Sequence, residues 1–203
     1  MSNLDDLALA IAQGLRRDQP VFCRQILRLL AAGSPVSVEQ LTTTLCLSRD
    51  EVQSRLGELL DLEWNAQGHI VGWGLTMIPT PHRFRMNGYE MFTWCALDAL
   101  MYPVILEQTA YVQSACPVTG KTVCLVVTPE SMESLTPPNA VVSIVLPTRG
   151  EAFHCVREAF CKHGHFFSSS EAAGRWLSEH QGSMLLSAGE AYQLGRLVHR
   201  YTQ

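Results

Sequence analysis

Apolar and polar positions alternate with helical spacing through the first sixty residues. One apolar stripe predicts an amphipathic helix over residues 4–17: Leu4, Leu7, Ala8, Ile11 and Leu15. A second helix is predicted from Pro20 to Gly33. Ser37 and Ser48 each begin a capping box, which predicts helices ending near residues 45 and 60. Residues 62–71 then predict a β-hairpin with its turn near Gln67-Gly68.

Helices followed by a hairpin are typical of a winged helix-turn-helix, which suggests DNA recognition by the helix over residues 48–60. The charge of this segment opposes that interpretation. Residues 1–80 carry six Arg and no Lys against nine Asp and Glu, a net charge of −3. A protein that reads DNA needs cations to neutralise phosphates. We therefore interpret the segment as a winged-helix-like scaffold without a DNA role.

Two prolines at positions 79 and 81 predict a boundary between a winged-helix-like domain, 1–80, and a second domain, 81–203. Arg83 and Arg85, which follow the prolines, are interpreted as solvated linker charges. The second domain has β-branched runs and then helical stripes. It predicts strands over 109–115, 122–128 and 141–146 and helices over 150–160, 168–177 and 188–201. The predicted fold class is α+β, with an antiparallel sheet flanked by helices.

Composition narrows the class of protein further. The 203 residues are 47% hydrophobic and 17% charged, with a formal net charge of −4, which predicts a globular chain without a generic nucleic-acid surface. No apolar run reaches transmembrane length, and the N-terminus is acidic where a signal peptide is basic. Seven cysteines without a CxxC pair are typical of free thiols in a reducing compartment. We expect a soluble cytoplasmic protein.

The first candidate chemistry lies in the apolar run from Thr93 to Leu100, where Cys95 and Asp98 are three residues apart. The run predicts a buried helix that begins between residue 87 and Thr93, and this spacing places the thiol and the carboxyl group on one face. If Thr93 is the N-cap, the first turn should stabilise a Cys95 thiolate. Pro103 should bend or end the helix. Burial of an Asp side chain costs free energy unless the carboxyl group has a polar partner or a functional role. The cysteine, by contrast, could simply be a small hydrophobic residue of the core.

A second candidate is the segment Cys161-Lys162-His163-Gly164-His165. If it is extended, residues 161, 163 and 165 point to one side and could bind zinc. A Cys–His nucleophile is another possibility, although no glycine-framed nucleophile motif accompanies it. The third interpretation is a packed cysteine beside ordinary histidines. Two further cysteines, Cys116 and Cys124, are interpreted as structural.

Taken together, four motifs resemble the organomercurial lyase (alkylmercury lyase) family of bacterial mercury resistance. They are WCALDAL at 94–100, SACPVTG at 114–120, FCKHGHFF at 160–167 and His180-Gln181-Gly182. The resemblance implies that Cys95 and Cys161 are catalytic thiolates that bind mercury and that Asp98 is the catalytic acid. It also implies a structural Cys116. Some members have a cysteine where this chain has Lys162, which puts product hand-off in doubt and leaves the core reaction intact.

The resemblance implies cleavage of a carbon–mercury bond, and thiolate is the soft ligand that mercury prefers. We expect Cys95 to bind the organomercurial first, with its proton going to Asp98 or solvent, and Cys161 second. Asp98, whose proton affinity a hydrophobic setting should raise, would protonate the carbon. The product Hg(II) would stay on Cys95, Cys161 and the Asp98 carboxylate. No resident cofactor is expected.

The expected partners are the organomercurial substrate, low-molecular-weight thiols needed for turnover, and a mercuric reductase that accepts Hg(II). Neither nucleic acid nor membrane is expected as a partner. Two other function classes stay open from the residues. A winged-helix thiol-based metal-sensing transcriptional regulator predicts salt-sensitive DNA binding. A zinc-stabilised structural protein predicts stoichiometric zinc and unfolding on chelation.

Overall fold

A computed structural model of the chain describes residues 4–15, 19–145, 153 and 155–203. The N-terminal part is helical, as the apolar periodicity predicts. Its elements are α1 (Leu4–Leu15), α2 (Pro20–Leu30), α3 (Val38–Leu45), α4 (Arg49–Gly57) and the hairpin β1 (Glu63–Trp64) and β2 (Ile70–Trp73). Residues 16 and 17 of the first predicted helix lie outside the described residues. The winged-helix-like arrangement is confirmed.

Local capping chemistry explains where α3 and α4 begin. Ser37 accepts a hydrogen bond from the Gln40 N–H, and the Gln40 side chain accepts one from the Ser37 N–H. Ser48 and Glu51 repeat this exchange at the start of α4. Both predicted capping boxes are therefore present. The end of α4 differs from the prediction: it stops at Gly57 rather than near residue 60, because glycine is a poor helix former.

Eight strands form one antiparallel sheet in the order β1-β2-β3-β5-β4-β6-β7-β8. Beyond the hairpin these are β3 (Leu75–Thr76), β4 (His82–Met86), β5 (Tyr89–Thr93), β6 (Ala110–Ala115), β7 (Thr122–Val127) and β8 (Met132–Thr136). Arg83 and Arg85 were predicted to be solvated charges in a linker; they are solvated, but they do not lie in a linker. Both arginines are exposed but belong to β4, whose alternate residues His82, Phe84 and Met86 are buried.

The hairpin of the N-terminal part belongs to the same sheet as the strands that follow it. Strand β2 pairs with β3, and β3 pairs with β5. Pro79 and Pro81 lie between β3 and β4, in a connection within that sheet. The division into domains at residue 80 stays a prediction, but the two parts share strand hydrogen bonds and one hydrophobic core cluster that runs from Leu7 to Val198.

A second, three-stranded sheet has the order β10-β9-β11. Its strands are β9 (Val141–Val145), β10 (Phe166–Phe167) and β11 (Ser183–Ser187), all antiparallel. The strand predicted over 141–146 is therefore present through Val145, but it lies in this second sheet and not in one antiparallel sheet with β6 and β7, as predicted. Residue 146, residues 150–152 and residue 154 lie outside the described residues; in the described part of the helix predicted over 150–160, α6 covers Val156–Ala159.

In the part of the chain that the structure describes, the remaining α-helices are α5 (Ala96–Leu106), α7 (Ser170–Leu177) and α8 (Ala188–Tyr201). Helix α5 contacts β4, β5 and β6 of the large sheet, β9 of the small sheet, and α8. All of its residues except Val104 are buried, as expected for a helix that is apolar on every side apart from Asp98. Pro103 lies inside α5, which continues to Leu106, so this proline does not end the helix. Among the described residues, no helix is long and apolar enough to cross a bilayer.

Candidate active site

Cys95 lies at the junction between β5 and α5 and is the N-cap of α5. Its backbone is extended, with φ −146° and ψ 173°, and its Sγ accepts a hydrogen bond from the Asp98 N–H at 3.4 Å. The prediction that the helix begins at or before Thr93 with Thr93 as its N-cap is wrong, because residues up to Thr93 pair in β5. The Thr93 hydroxyl instead donates to the Cys95 carbonyl at 3.0 Å.

Asp98 is the third residue of α5, so the turn that Cys95 caps also carries the carboxyl group. The Cys95 thiol donates to Asp98 Oδ2 at 3.3 Å. Asp98 is only 6% exposed. Burial of a carboxyl group is costly without a polar partner. The three-residue spacing predicted in the sequence thus produces direct contact between the thiol and the acid.

Cys161 reaches the same carboxyl group from a segment 63 residues away. Its Sγ lies 3.8 Å from Asp98 Oδ2, and the side chain is buried. Residues Cys161–His163 form a single 3₁₀ turn, so the extended arrangement that would bind zinc through residues 161, 163 and 165 is wrong. Among the described residues, Cys95, Asp98 and Cys161 are the group whose candidate ligand atoms converge, all within 4.8 Å of one another.

Gly164 allows this convergence, and sequence reasoning did not single it out. Its carbonyl accepts a hydrogen bond from the Ala96 N–H at 2.9 Å, which joins the Cys161 segment to the start of α5. A Cβ added to Gly164 would lie 2.9 Å from the Cys95 Cβ, closer than side chains pack. In the sequence, the one available indication of this contact was the glycine between His163 and His165, because a residue without a Cβ permits close approach of another segment.

The electrostatics of Cys95 differ from the prediction of a stabilised thiolate. Burial raises the pKa of the Cys95 thiol, and the neighbouring Asp98 charge raises it further, while hydrogen bonds from Cys161 and the Asp98 N–H oppose the shift. The helix start therefore does not outweigh desolvation. The raised pKa favours the protonated Cys95 thiol, in agreement with the hydrogen bond that it donates to Asp98.

An apolar cavity of about 220 Å³ opens beside this group. Asp98 and Cys161 contribute to its wall, and most of the remaining lining is aliphatic or aromatic: Leu59, Trp73, Trp94, Leu97, Met101 and Phe160. An apolar lining with few polar groups is typical of a small-molecule site. An organic group of modest size can lie in this cavity next to both Asp98 and Cys161.

The other residues singled out in the sequence lie apart from this convergent group. Cys116 packs in a separate buried cluster with Phe167. Burial raises the pKa of Cys116, but hydrogen bonds from the Thr119 hydroxyl and nearby N–H groups lower it to about 7 overall. Cys124 is half-buried on β7. Lys162 points to the surface, where it pairs with Glu158 at 2.9 Å.

Two thiols that face one carboxyl group form a site suited to a soft metal ion, with a proton donor beside it. The α+β fold and this site together define a class of thiol-based proteins that handle soft metals. Comparison with known proteins identifies the family. The MerB family model, described as alkylmercury lyase, matches residues 75–199, and the helix-turn-helix domain of alkylmercury lyase matches residues 6–74. The chain belongs to the alkylmercury lyase family of enzymes.

Relatives and a solved structure agree over the length of the chain. An alkylmercury lyase of Staphylococcus epidermidis is 40% identical over 208 residues, which covers 100% of this chain and 95% of the relative. One of Streptomyces lividans is 43% identical over 183 residues, covering 90% of this chain and 84% of the relative. The crystal structure of the mercury-bound form of MerB2 is similar with a TM-score of 0.79 at 25% identity, covering 100% of both chains.

Proposed function

We propose that this protein cleaves the carbon–mercury bond of organomercurials, releasing a hydrocarbon and leaving Hg(II) on its two thiolates. The observation that supports this most directly is the convergence of Cys95, Asp98 and Cys161, with ligand atoms within 4.8 Å of one another beside an apolar cavity. Family membership supports the same reaction class.

The reaction begins at Cys95. Its sulfur displaces the ligand X from R–Hg–X, which forms the first sulfur–mercury bond and releases HX. Cys161 then forms the second sulfur–mercury bond and gives up its own proton. Asp98 Oδ2 lies 3.3 Å from the Cys95 Sγ and 3.8 Å from the Cys161 Sγ, so the carboxyl group can accept a proton from either thiol.

Asp98 delivers that proton to carbon as the carbon–mercury bond breaks. The bonding electron pair stays with carbon, which leaves as R–H, and mercury remains as Hg(II) with no change of oxidation state. Two sulfur donors push electron density toward the carbon and make it basic enough to be protonated. Burial excludes water, which would compete for the proton, and places the acid next to the carbon.

Turnover requires removal of Hg(II) from Cys95 and Cys161, with the Asp98 carboxylate as a further ligand until release. We propose that a low-molecular-weight thiol, or the cysteines of a mercuric reductase, accepts the ion by exchange of sulfur ligands. The reaction as written needs no resident cofactor, no nucleic acid and no membrane. The seven free cysteines suit a reducing compartment, so we place the enzyme in the cytoplasm.

Incubation with phenylmercuric ion and excess thiol tests the proposal. Benzene in the headspace and Hg(II) bound by the added thiol in solution are expected from the wild-type protein. Cys161→Ser should release neither, while Cys46→Ser, which alters an exposed thiol of the helical part, should behave as wild type. Salt-sensitive DNA binding without benzene would instead support the regulator, and stoichiometric zinc with unfolding on chelation would support the structural protein.

A further inference from the structure

The winged-helix hairpin contacts the segment that carries Cys161 through two acidic side chains. The first is Asp61, which precedes β1 and has the left-handed φ of 63° that Asp and Asn tolerate. Its Oδ1 accepts a hydrogen bond from the Cys155 thiol at 3.1 Å, and its Oδ2 accepts one from the Arg157 N–H at 3.1 Å. One carboxylate of the hairpin thus binds two groups at the start of α6.

The second acid is Glu63 on β1, whose side chain is only 8% exposed. It forms an ion pair with Arg157 and accepts a hydrogen bond from the Thr76 hydroxyl. The Arg157 guanidinium in turn lies 5.6 Å from the ring centroid of Trp94, the residue before Cys95. A largely buried carboxylate that loses its cation is left poorly compensated, so this pair constrains Arg157 more strongly than a surface pair would.

The other end of the Cys161 segment is held by different elements. Ser143 on β9 donates to the His163 carbonyl at 2.6 Å and accepts from the His165 N–H at 3.0 Å. The Gly164 carbonyl accepts from the Ala96 N–H. Helix α6 has only four residues and cannot order itself without external contacts. The segment that carries Cys161 is therefore held after Cys161 by β9 and α5, and before Cys161 by Asp61 and Glu63 of the hairpin region.

We propose that Asp61 and Glu63 are positioning residues, which hold the Cys161 segment so that its thiol stays at Asp98 for the second ligation of mercury. This inference rests on the proposed function and adds a task for the winged-helix part. That part does not need DNA for this task. Its hairpin region supplies an attachment for the segment that carries the Cys161 thiol.

Two conservative variants test the proposal. Glu63→Gln keeps the side-chain volume but removes the charge that pairs with Arg157. Asp61→Asn tolerates the same φ but loses one of its two acceptor oxygens. In each variant we expect kcat for phenylmercuric ion to fall about tenfold while KM stays within about twofold of wild type, since Cys95 still binds substrate but Cys161 is misplaced. Intact-protein mass spectrometry of quenched early time points should show a phenylmercury adduct that accumulates in the variants.

The control is Glu39→Gln, which breaks an exposed ion pair with Arg49 in the same N-terminal part and should leave kcat and the adduct unchanged. If Glu63→Gln does not fold, Asp61→Asn provides the test alone. Wild-type kcat and no adduct in a folded variant would overturn the positioning role while leaving the lyase reaction intact. Absence of benzene from the wild-type protein would overturn the proposed function itself.

Discussion

Gly164→Ala is the sharpest steric test of the site. The added Cβ would lie 2.9 Å from the Cys95 Cβ and 3.5 Å from the Cys95 Sγ. Ordinary contacts begin at 3.4 Å, so the Cys161 segment and Cys95 must separate by at least about half an ångström. Neither neighbour can avoid the clash by rotating, because a Cβ is fixed to the backbone. Gly164 has φ −94°, so the effect is steric and not backbone strain.

Displacement of this size acts directly on the distance between Cys161 and Asp98. We expect overpacking to cost about 1–3 kcal/mol of folding free energy. Misplacement of a reacting group by about 1 Å can lower a rate ~100-fold, so the single-turnover rate constant for benzene release should fall roughly 10–100-fold. The assay is single-turnover release of benzene from phenylmercuric ion at saturating protein, with the melting temperature measured in parallel.

The matched control is Gly174→Ala in α7. A Cβ there meets no atom within 4 Å, and alanine should stabilise that helix by up to ~1 kcal/mol without altering catalysis. If Gly164→Ala released benzene at the wild-type rate from folded protein, close approach at this glycine would not control the reaction, and our steric reasoning would be wrong.

Three further predictions concern the acid, the buried histidine and the tryptophan. Asp98→Asn should keep substrate binding but lose protonolysis by about 10²–10⁴-fold in single-turnover assays, and full activity would exclude Asp98 as the acid. Burial lowers the pKa of His82 to about 3. Between pH 6.5 and 3 the unfolded chain therefore binds a proton at this histidine that the folded chain does not bind. The free energy of unfolding should fall by ~1.4 kcal/mol per pH unit as the pH drops through this range. In chemical denaturation, His82→Gln should flatten that slope, and an unchanged slope would contradict the assignment. Hg(II) bound beside Trp94 should quench its fluorescence, and Trp94→Phe should show less quenching, with the remainder coming from Trp73 in the same cavity; quenching of equal size in the variant would place mercury elsewhere.

Local patterns in the sequence were sufficient for the helices. The capping boxes at Ser37 and Ser48, the apolar stripe of α1 and the whole of α8 were predicted because each depends on residues within a few positions of one another. Strand β4 was missed because its charged outward residues resemble a solvated linker, and β5 was missed because its residues were assigned to the start of the following helix. Their pairing partners, which identify them as strands, lie elsewhere in the chain.

The sequence by itself indicated the candidate residues for the chemistry: it placed Cys95 and Asp98 within one helical turn, and resemblance to the family added Cys161. Only the tertiary structure decided that Cys161 lies 3.8 Å from the same carboxyl oxygen, because that distance depends on two sheets, a glycine contact and the hairpin acids. The raised pKa of the Cys95 thiol also depends on the tertiary structure. A helix start is a local feature that favours thiolate, but desolvation is produced by the whole fold, and it is the larger effect.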